Sequence, residues 1–128
     1  MNVPDDRRYS KDHEWARLEG GRVRVGITDY AQDALGDVVF VELPAVGAQV
    51  TESDAFGSVE STKSVSEIYA PVTGTIVEVN LELNDSPNRL NDDPYGEGWL
   101  CVIEPAGGVG LEHLLTPAGY QALIQEEA

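Results

Sequence analysis

The run Phe56-Gly57-Ser58-Val59-Glu60-Ser61-Thr62-Lys63-Ser64-Val65-Ser66-Glu67-Ile68-Tyr69 admits few conformations. Two short β-prone segments, Phe56–Ser61 and Val65–Tyr69, flank a polar link with room only for a reversal. Strands joined this closely pair as an antiparallel hairpin. Lys63 therefore sits at the apex of a turn, with its ammonium held out in water. The chain contains only one other lysine, Lys11, against six arginines. Arginine does not deprotonate in proteins, whereas the lysine ε-amine can and is then open to acylation. A lysine so isolated invites a chemical reason, although a solvated turn lysine is the plain alternative.

The rest of the chain reads as short strands around that hairpin. Val23, Val25 and Ile27 alternate with Arg22, Arg24 and Gly26 in a half-buried strand entered through Gly20-Gly21. Thr28 supplies a capping oxygen for a short helix from Asp29 to Leu35, Asp29 suits its N-terminus, and Gly36 ends it. Val38 to Leu43 is the most apolar strand, closed by Pro44. Pro71 and Gly74 impose a turn before Thr75-Ile76-Val77-Glu78-Val79, where apolar and polar residues alternate. Asn84-Asp85-Ser86-Pro87 reads as polar and irregular, and Trp99–Ile103 as a last strand. Thr116-Pro117 is a strong helix start, and Tyr120, Leu123 and Ile124 make the apolar stripe of a helix over about 117–127. Glu126 and Glu127 oppose the helix dipole, so its final turn is expected to fray. Regularly spaced short strands with two small helices predict a mostly β sandwich or barrel.

At 128 residues the chain is long enough for one core, burying roughly 65 to 70% of its unfolded surface. Residues 1–8, charged and Pro-containing, are expected to be a flexible leader, and 9–128 a single domain. A net charge of −15 argues against nucleic acid and anionic membrane as partners, and suits docking on basic patches of proteins. No apolar run is long enough for a bilayer, and the leader carries Asp5 and Asp6, unlike a transit peptide. A bacterial-type cytoplasm is the expected location.

Catalytic and metal constellations are thin. His13-Glu14 has Arg17 where a zinc helix needs its second histidine, and His113 stands alone. Cys101, the sole cysteine, lies in the apolar Leu100–Ile103 run and reads as core filling. No nucleophile elbow or dinucleotide fingerprint occurs.

A hairpin lysine followed by Ala70-Pro71-Val72-Thr73-Gly74 and a strand resembles the biotinyl- and lipoyl-carrier folds, and Glu60 without flanking methionines resembles the lipoyl version. Further segments narrow the likeness: Lys11-Asp12-His13-Glu14-Trp15, Val25-Gly26-Ile27-Thr28-Asp29-Tyr30-Ala31-Gln32, Leu35–Pro44, Glu78-Val79-Asn80 and Asn91–Trp99. Together, from about Tyr9 to about Ile103, they resemble the glycine cleavage H-protein family.

That resemblance implies a barrel-sandwich hybrid, the hammerhead of biotinyl and lipoyl carriers, with a short helix after the first strands and a C-terminal helix. It implies lipoate in amide linkage to Lys63 on a chain that is not itself an enzyme. The implied role is to shuttle the aminomethyl group of glycine from glycine decarboxylase (P protein) to the folate-dependent aminomethyltransferase (T protein). Dihydrolipoyl dehydrogenase (L protein) then reoxidises the arm, and a lipoate ligase or lipoyltransferase attaches it. Glu60, Ser61, Ser64 and Glu67 are expected to form a polar platform beside the lysine. Glu14 and Glu67 are candidates to hold the cationic amine of a loaded arm folded back into a cleft. A lipoyl-relay protein, a lipoyl domain serving 2-oxoacid dehydrogenases and an unmodified interaction domain remain alternatives.

Overall fold

The computed structural model describes residues 1–107 and 110–127. Six strands, β1 (Arg8–Tyr9), β2 (Glu14–Glu19), β3 (Arg22–Ile27), β5 (Gln49–Val50), β8 (Gly74–Val79) and β9 (Cys101–Pro105), form one antiparallel sheet in the order β1-β2-β3-β9-β8-β5. Three more, β4 (Val38–Glu42), β6 (Ala55–Ser61) and β7 (Val65–Tyr69), form a second sheet in the order β4-β6-β7. Four helices complete the described residues: α1 (Asp29–Leu35), α2 (Glu82–Asp85), α3 (Arg89–Asp92) and α4 (Pro117–Glu127). The expected mostly β sandwich is present, without a closed barrel.

Alternation along the strands produces two cores. Val23, Val25, Ile76, Cys101 and Ile103 point inward from the large sheet, and Val41, Val59 and Ile68 from the small one, where they meet Ile27, Leu35, Leu83, Leu90 and Leu100. Phe56 packs against both clusters. The stretch after Asn80, expected to be irregular, instead contains the one-turn helices α2 and α3. Leu83 and Leu90 are fully buried there, and the Asn80 side chain donates to the carbonyls of Glu97 and Trp99, both at 2.8 Å. Two apolar anchors are too few to give a sequence period, so only tertiary contact reveals these helices.

A third, aromatic cluster joins the two ends of the fold. Tyr9 and Tyr120 stack with ring centroids 4.7 Å apart, beside Trp15 and Ile124. Gly26 pairs with Trp15 across β2 and β3, and a Cβ at position 26 would lie 2.5 Å from the indole, whose Nε1 is fixed by donation to Pro94 O at 3.0 Å. Only glycine leaves the ring that space. Residues 2–8, expected to be flexible, lie against this cluster. The Arg7 guanidinium sits 4.6 Å from the Trp15 ring and 5.2 Å from that of Tyr95. The Tyr9 hydroxyl donates to Pro4 O, the Tyr95 hydroxyl to Asn2 O, and Asn2 N to the Asp29 carboxylate. Cation–π and backbone contacts of this kind leave no trace in local composition.

Both longer helices start as the sequence predicts. Thr28 Oγ1 accepts from Ala31 N at 3.1 Å, and Thr116 Oγ1 accepts from Gly119 N at 3.1 Å. The last described turn of α4 runs through Glu127, whose carboxylate lies 3.2 Å from His13 Nε2. The other His13 nitrogen, Nδ1, lies 2.8 Å from the Tyr120 hydroxyl, which also reaches Thr28 Oγ1 at 2.6 Å.

Candidate functional site: a lysine tip and a buried carboxylate

β6 and β7 pair in the expected hairpin, with Glu60 opposite Val65 and Ser58 opposite Glu67. Lys63 is exposed at the tip, and among the described residues its amine forms no ion pair. The tip is built from below by Ser61, which is 5% exposed. Its hydroxyl accepts from Ser64 N at 3.1 Å and Lys63 N at 3.3 Å and lies 3.2 Å from Ser64 O, while Ser61 N donates to the same carbonyl at 2.8 Å. Thr62 N donates to Asp37 O at 3.1 Å, tying the tip to the turn that follows α1.

That supporting turn is specified by two residues. Gly36 has φ 83°, open to glycine and strained for other residues, and a Cβ there would approach Lys63 Cε at 3.4 Å. Asn91 then clamps the turn from α3, donating to Gly36 O at 2.9 Å and accepting from Val38 N at 2.9 Å. Sequence reasoning missed Asn91, whose signal is only a lone amide in a polar stretch. Replacing Ser61 with alanine removes the hydroxyl that organises the tip, at a cost of about 1 kcal/mol. The Lys63 and Ser64 amides are then expected to exchange hydrogen about fivefold faster than in wild type, which NMR exchange rates would measure.

The other candidates separate. Glu60, Ser64 and Glu67 are exposed, so they surround the lysine as surface groups, whereas Ser61 faces inward as the turn's scaffold. Glu14, expected to be a cleft acid, is 2% exposed on β2. One of its oxygens accepts from Ser10 Oγ and the other from Tyr69 N at 3.2 Å. Both bonds join it to a cavity of about 270 Å³ whose walls include Ser10, Ser53, Tyr69, His113 and Leu115. Glu67 is not among the residues lining it. Tyr69 closes β7, so the cavity and the lysine tip lie beyond opposite ends of one hairpin strand, whose four residue steps alone span about 13 Å.

Glu14 is electrostatically unusual. Burial pushes its carboxyl pKa up from 4.5 to about 7, the nearby Asp12 charge adds to the rise, and the bonds from Ser10 and Tyr69 oppose it. Among the described residues its carboxylate has no ion-pair partner. Lys11 also lines the cavity, with Asp12 and Glu52, but among the described residues no basic group pairs with Glu14, and a buried acid opening on a cavity is a candidate functional group. Ser10 went unnoticed in the sequence, although its hydroxyl also accepts from Glu14 N at 3.1 Å and Asp12 N at 3.2 Å and so shapes the turn that presents Glu14. His113 stands at the cavity wall, where Nε2 donates to Pro71 O at 2.7 Å, with Glu52 3.7 Å away.

The remaining chemistry-bearing residues are structural. Cys101 is buried in β9 and its thiol pKa is pushed up to about 12, which removes thiolate character. Trp15 is core, and half-buried Trp99 carries the Arg24 guanidinium 4.4 Å from its ring. Among the described residues no three His, Cys, Asp or Glu side chains gather as a metal site, and no helix is long and apolar enough to cross a membrane.

The family model described as "Glycine cleavage H-protein" matches residues 7–127. A glycine cleavage system H protein of Geobacillus thermodenitrificans (strain NG80-2) is 56% identical over 126 residues, covering 98% of this chain and 99% of that one. One from Bacillus subtilis (strain 168) is 51% identical over 127 residues, covering 99% of this chain and all of its own. A crystal structure of a glycine cleavage system H protein from Mycobacterium marinum superposes with a TM-score of 0.87 at 45% identity, covering 98% of this chain and 100% of the other. Likeness in sequence and in fold extends over nearly the whole chain, which therefore belongs to the glycine cleavage H-protein family.

Proposed function

We propose that this chain is the lipoyl carrier of a glycine cleavage system, with Lys63 as the attachment point, serving a P, a T and an L protein and loaded by a lipoate ligase or lipoyltransferase. The observation that carries this reading is, among the described residues, one amine without an ion pair on a fixed tip, together with a buried carboxylate of β2, itself without an ion pair, that is bonded to the far end of β7. The residues fit the group on both counts: the Lys63 amine is free to form an amide, and the cavity beyond the far end of β7 presents the carboxyl groups of Glu14, Asp12 and Glu52. When bound, lipoate supplies the disulfide and dithiol pair on which a one-carbon amine fragment can travel.

Everything else falls to the chain. Ser61, Gly36 and Asn91 hold the Lys63 backbone at a constant position, so that visiting enzymes meet it in one geometry. The tether keeps the arm at high local concentration near a docked partner. Glu14 accepts a cationic amine in the cavity, Ser10 orients its carboxylate, and the surrounding walls partly shield a fragment prone to hydrolysis. A cationic amine entering there lowers the Glu14 pKa, so that the carboxyl releases its proton to solvent and meets the amine as a carboxylate. Glu60, Ser64 and Glu67 belong instead to the outer surface that partners meet. The chain itself performs no bond-making step, and the reading places it in a bacterial cytoplasm.

Its test is direct. Incubation of the purified protein with lipoate, ATP and a bacterial lipoate–protein ligase should add one lipoyl mass increment, mapped by peptide mass spectrometry to Lys63 and not to Lys11. The product should then support glycine–bicarbonate exchange by a P protein. Loading without exchange would favour the lipoyl-relay or 2-oxoacid dehydrogenase reading, and no loading would overturn the carrier reading.

A further inference from the structure

The outer face of β4-β6-β7 carries an apolar pair that the carrier chemistry does not use. Phe40 lies opposite Glu60, and Glu60 lies opposite Val65, so the three side chains stand in one row across the sheet, with Phe40 and Val65 about 9 to 10 Å apart. Phe40 is 54% exposed and Val65 64%. The next row of the same face holds Glu42, Ser58 and Glu67. The opposite face, with Val41, Val59 and Ile68, is buried core. A bulge in β4 between Val38 and Phe40 breaks the alternation, so that Val39, 49% exposed, joins Phe40 outside. Among the described residues, the other large exposed apolar side chains stand apart along the chain, but three are gathered here beside the lysine tip.

We propose that Phe40, Val65 and the bulged Val39 form an apolar docking pad for enzymes that take Lys63 into their active sites, and that the partner surface is an apolar patch rimmed by Lys and Arg. Charge supplies the choice of occupant. Glu42, Glu60 and Glu67 put three carboxylates on the pad, which calls for a basic rim. Two copies of this chain meeting face to face would bring those carboxylates together, and a net charge of −15 repels an anionic membrane. A pad one residue row from the tip also orients the hairpin, since apolar contacts fix the approach while charges speed the encounter. Polar residues would serve solubility better at these positions, so their exposure marks contact.

This inference rests on the carrier reading, and the same assay separates the two. The probe is a bacterial lipoate–protein ligase with ATP and lipoate, read by mass spectrometry of Lys63 loading at varied carrier concentration. The double substitution Phe40→Ser and Val65→Ser is expected to raise the carrier KM about tenfold or more, with the saturated rate nearly unchanged, as for loss of central apolar anchors. The control Val46→Ser, 61% exposed in the turn beyond the far end of β4, should leave KM at the wild-type value. Circular dichroism melts should superpose for all three proteins. Reversal of Glu60 and Glu67 to lysine should raise KM further and flatten its salt dependence. Equal KM values for wild type and the double variant would overturn the pad while leaving the carrier reading intact. Absence of any loading in wild type would remove the carrier reading itself. A wild-type dimer in sedimentation that the double substitution dissociates would assign the face to a second copy instead and overturn the proposal.

Discussion

Lys63→Arg is expected to give a protein that folds normally, gains no lipoyl increment, and supports glycine–bicarbonate exchange about 100-fold or more below wild type, the scale of what tethering contributes. Arginine keeps the positive charge and most of the stem length at position 63, and the turn beneath is built from the Ser61 hydroxyl and backbone atoms that the substitution does not touch. What it removes is the ability to lose a proton and become a nucleophilic amine. Intact-mass spectrometry and the exchange assay read the two consequences separately. Near-normal exchange by the variant would mean that the amine at the tip is not the carrier, and the proposed function would fall.

Glu14→Gln should alter the pH dependence of stability as well as the protection of cargo. The Glu14 carboxyl has its pKa raised to about 7 in the folded state, from the 4.5 of an exposed carboxyl, mainly by burial. Between those values the unfolded chain has released the proton while the folded chain retains it, so stability declines as pH rises. The contribution is fully present below the lower value and amounts to about 3 kcal/mol lost by the time pH exceeds the upper one. Glutamine keeps the shape and one acceptor oxygen but cannot titrate. Urea midpoints measured from pH 5 to pH 8 should therefore fall more steeply in wild type than in the variant, and parallel slopes would show that Glu14 titrates as an ordinary surface acid. In lipoylated protein loaded from glycine, the variant should release formaldehyde several-fold faster. An unchanged rate would remove Glu14 from the cradle.

The parts of this molecule that were legible in advance are those whose causes are local. The Lys63 turn, the Thr28 cap with its Gly36 stop, and the Thr116-Pro117 start of α4 are each encoded within a few residues, and each appears where the sequence puts it. Glu14 was recognisable as a candidate only through family likeness. Its burial depends on Ser10 and on the Tyr69 amide, the latter 55 positions away in the sequence. Val38–Leu43 read as the most apolar strand, yet the bulge turns Val39 and Phe40 outward, because register belongs to the paired strand rather than to the strand itself. The opening residues read as unattached for the same reason: the rings that hold Arg7 come from Trp15 and Tyr95.

The interleaved strand order of the large sheet has a bearing on how the molecule assembles during synthesis. β3 hydrogen-bonds to β9, and the Tyr9 backbone pairs with Leu115, so that sheet needs segments translated at widely separated times. β4, β6 and β7 are close neighbours in sequence and can zip together first. The nascent lysine hairpin would then stand ready while the larger layer waits for its last strand, placing the slow search for distant partners after the modifiable tip has taken shape.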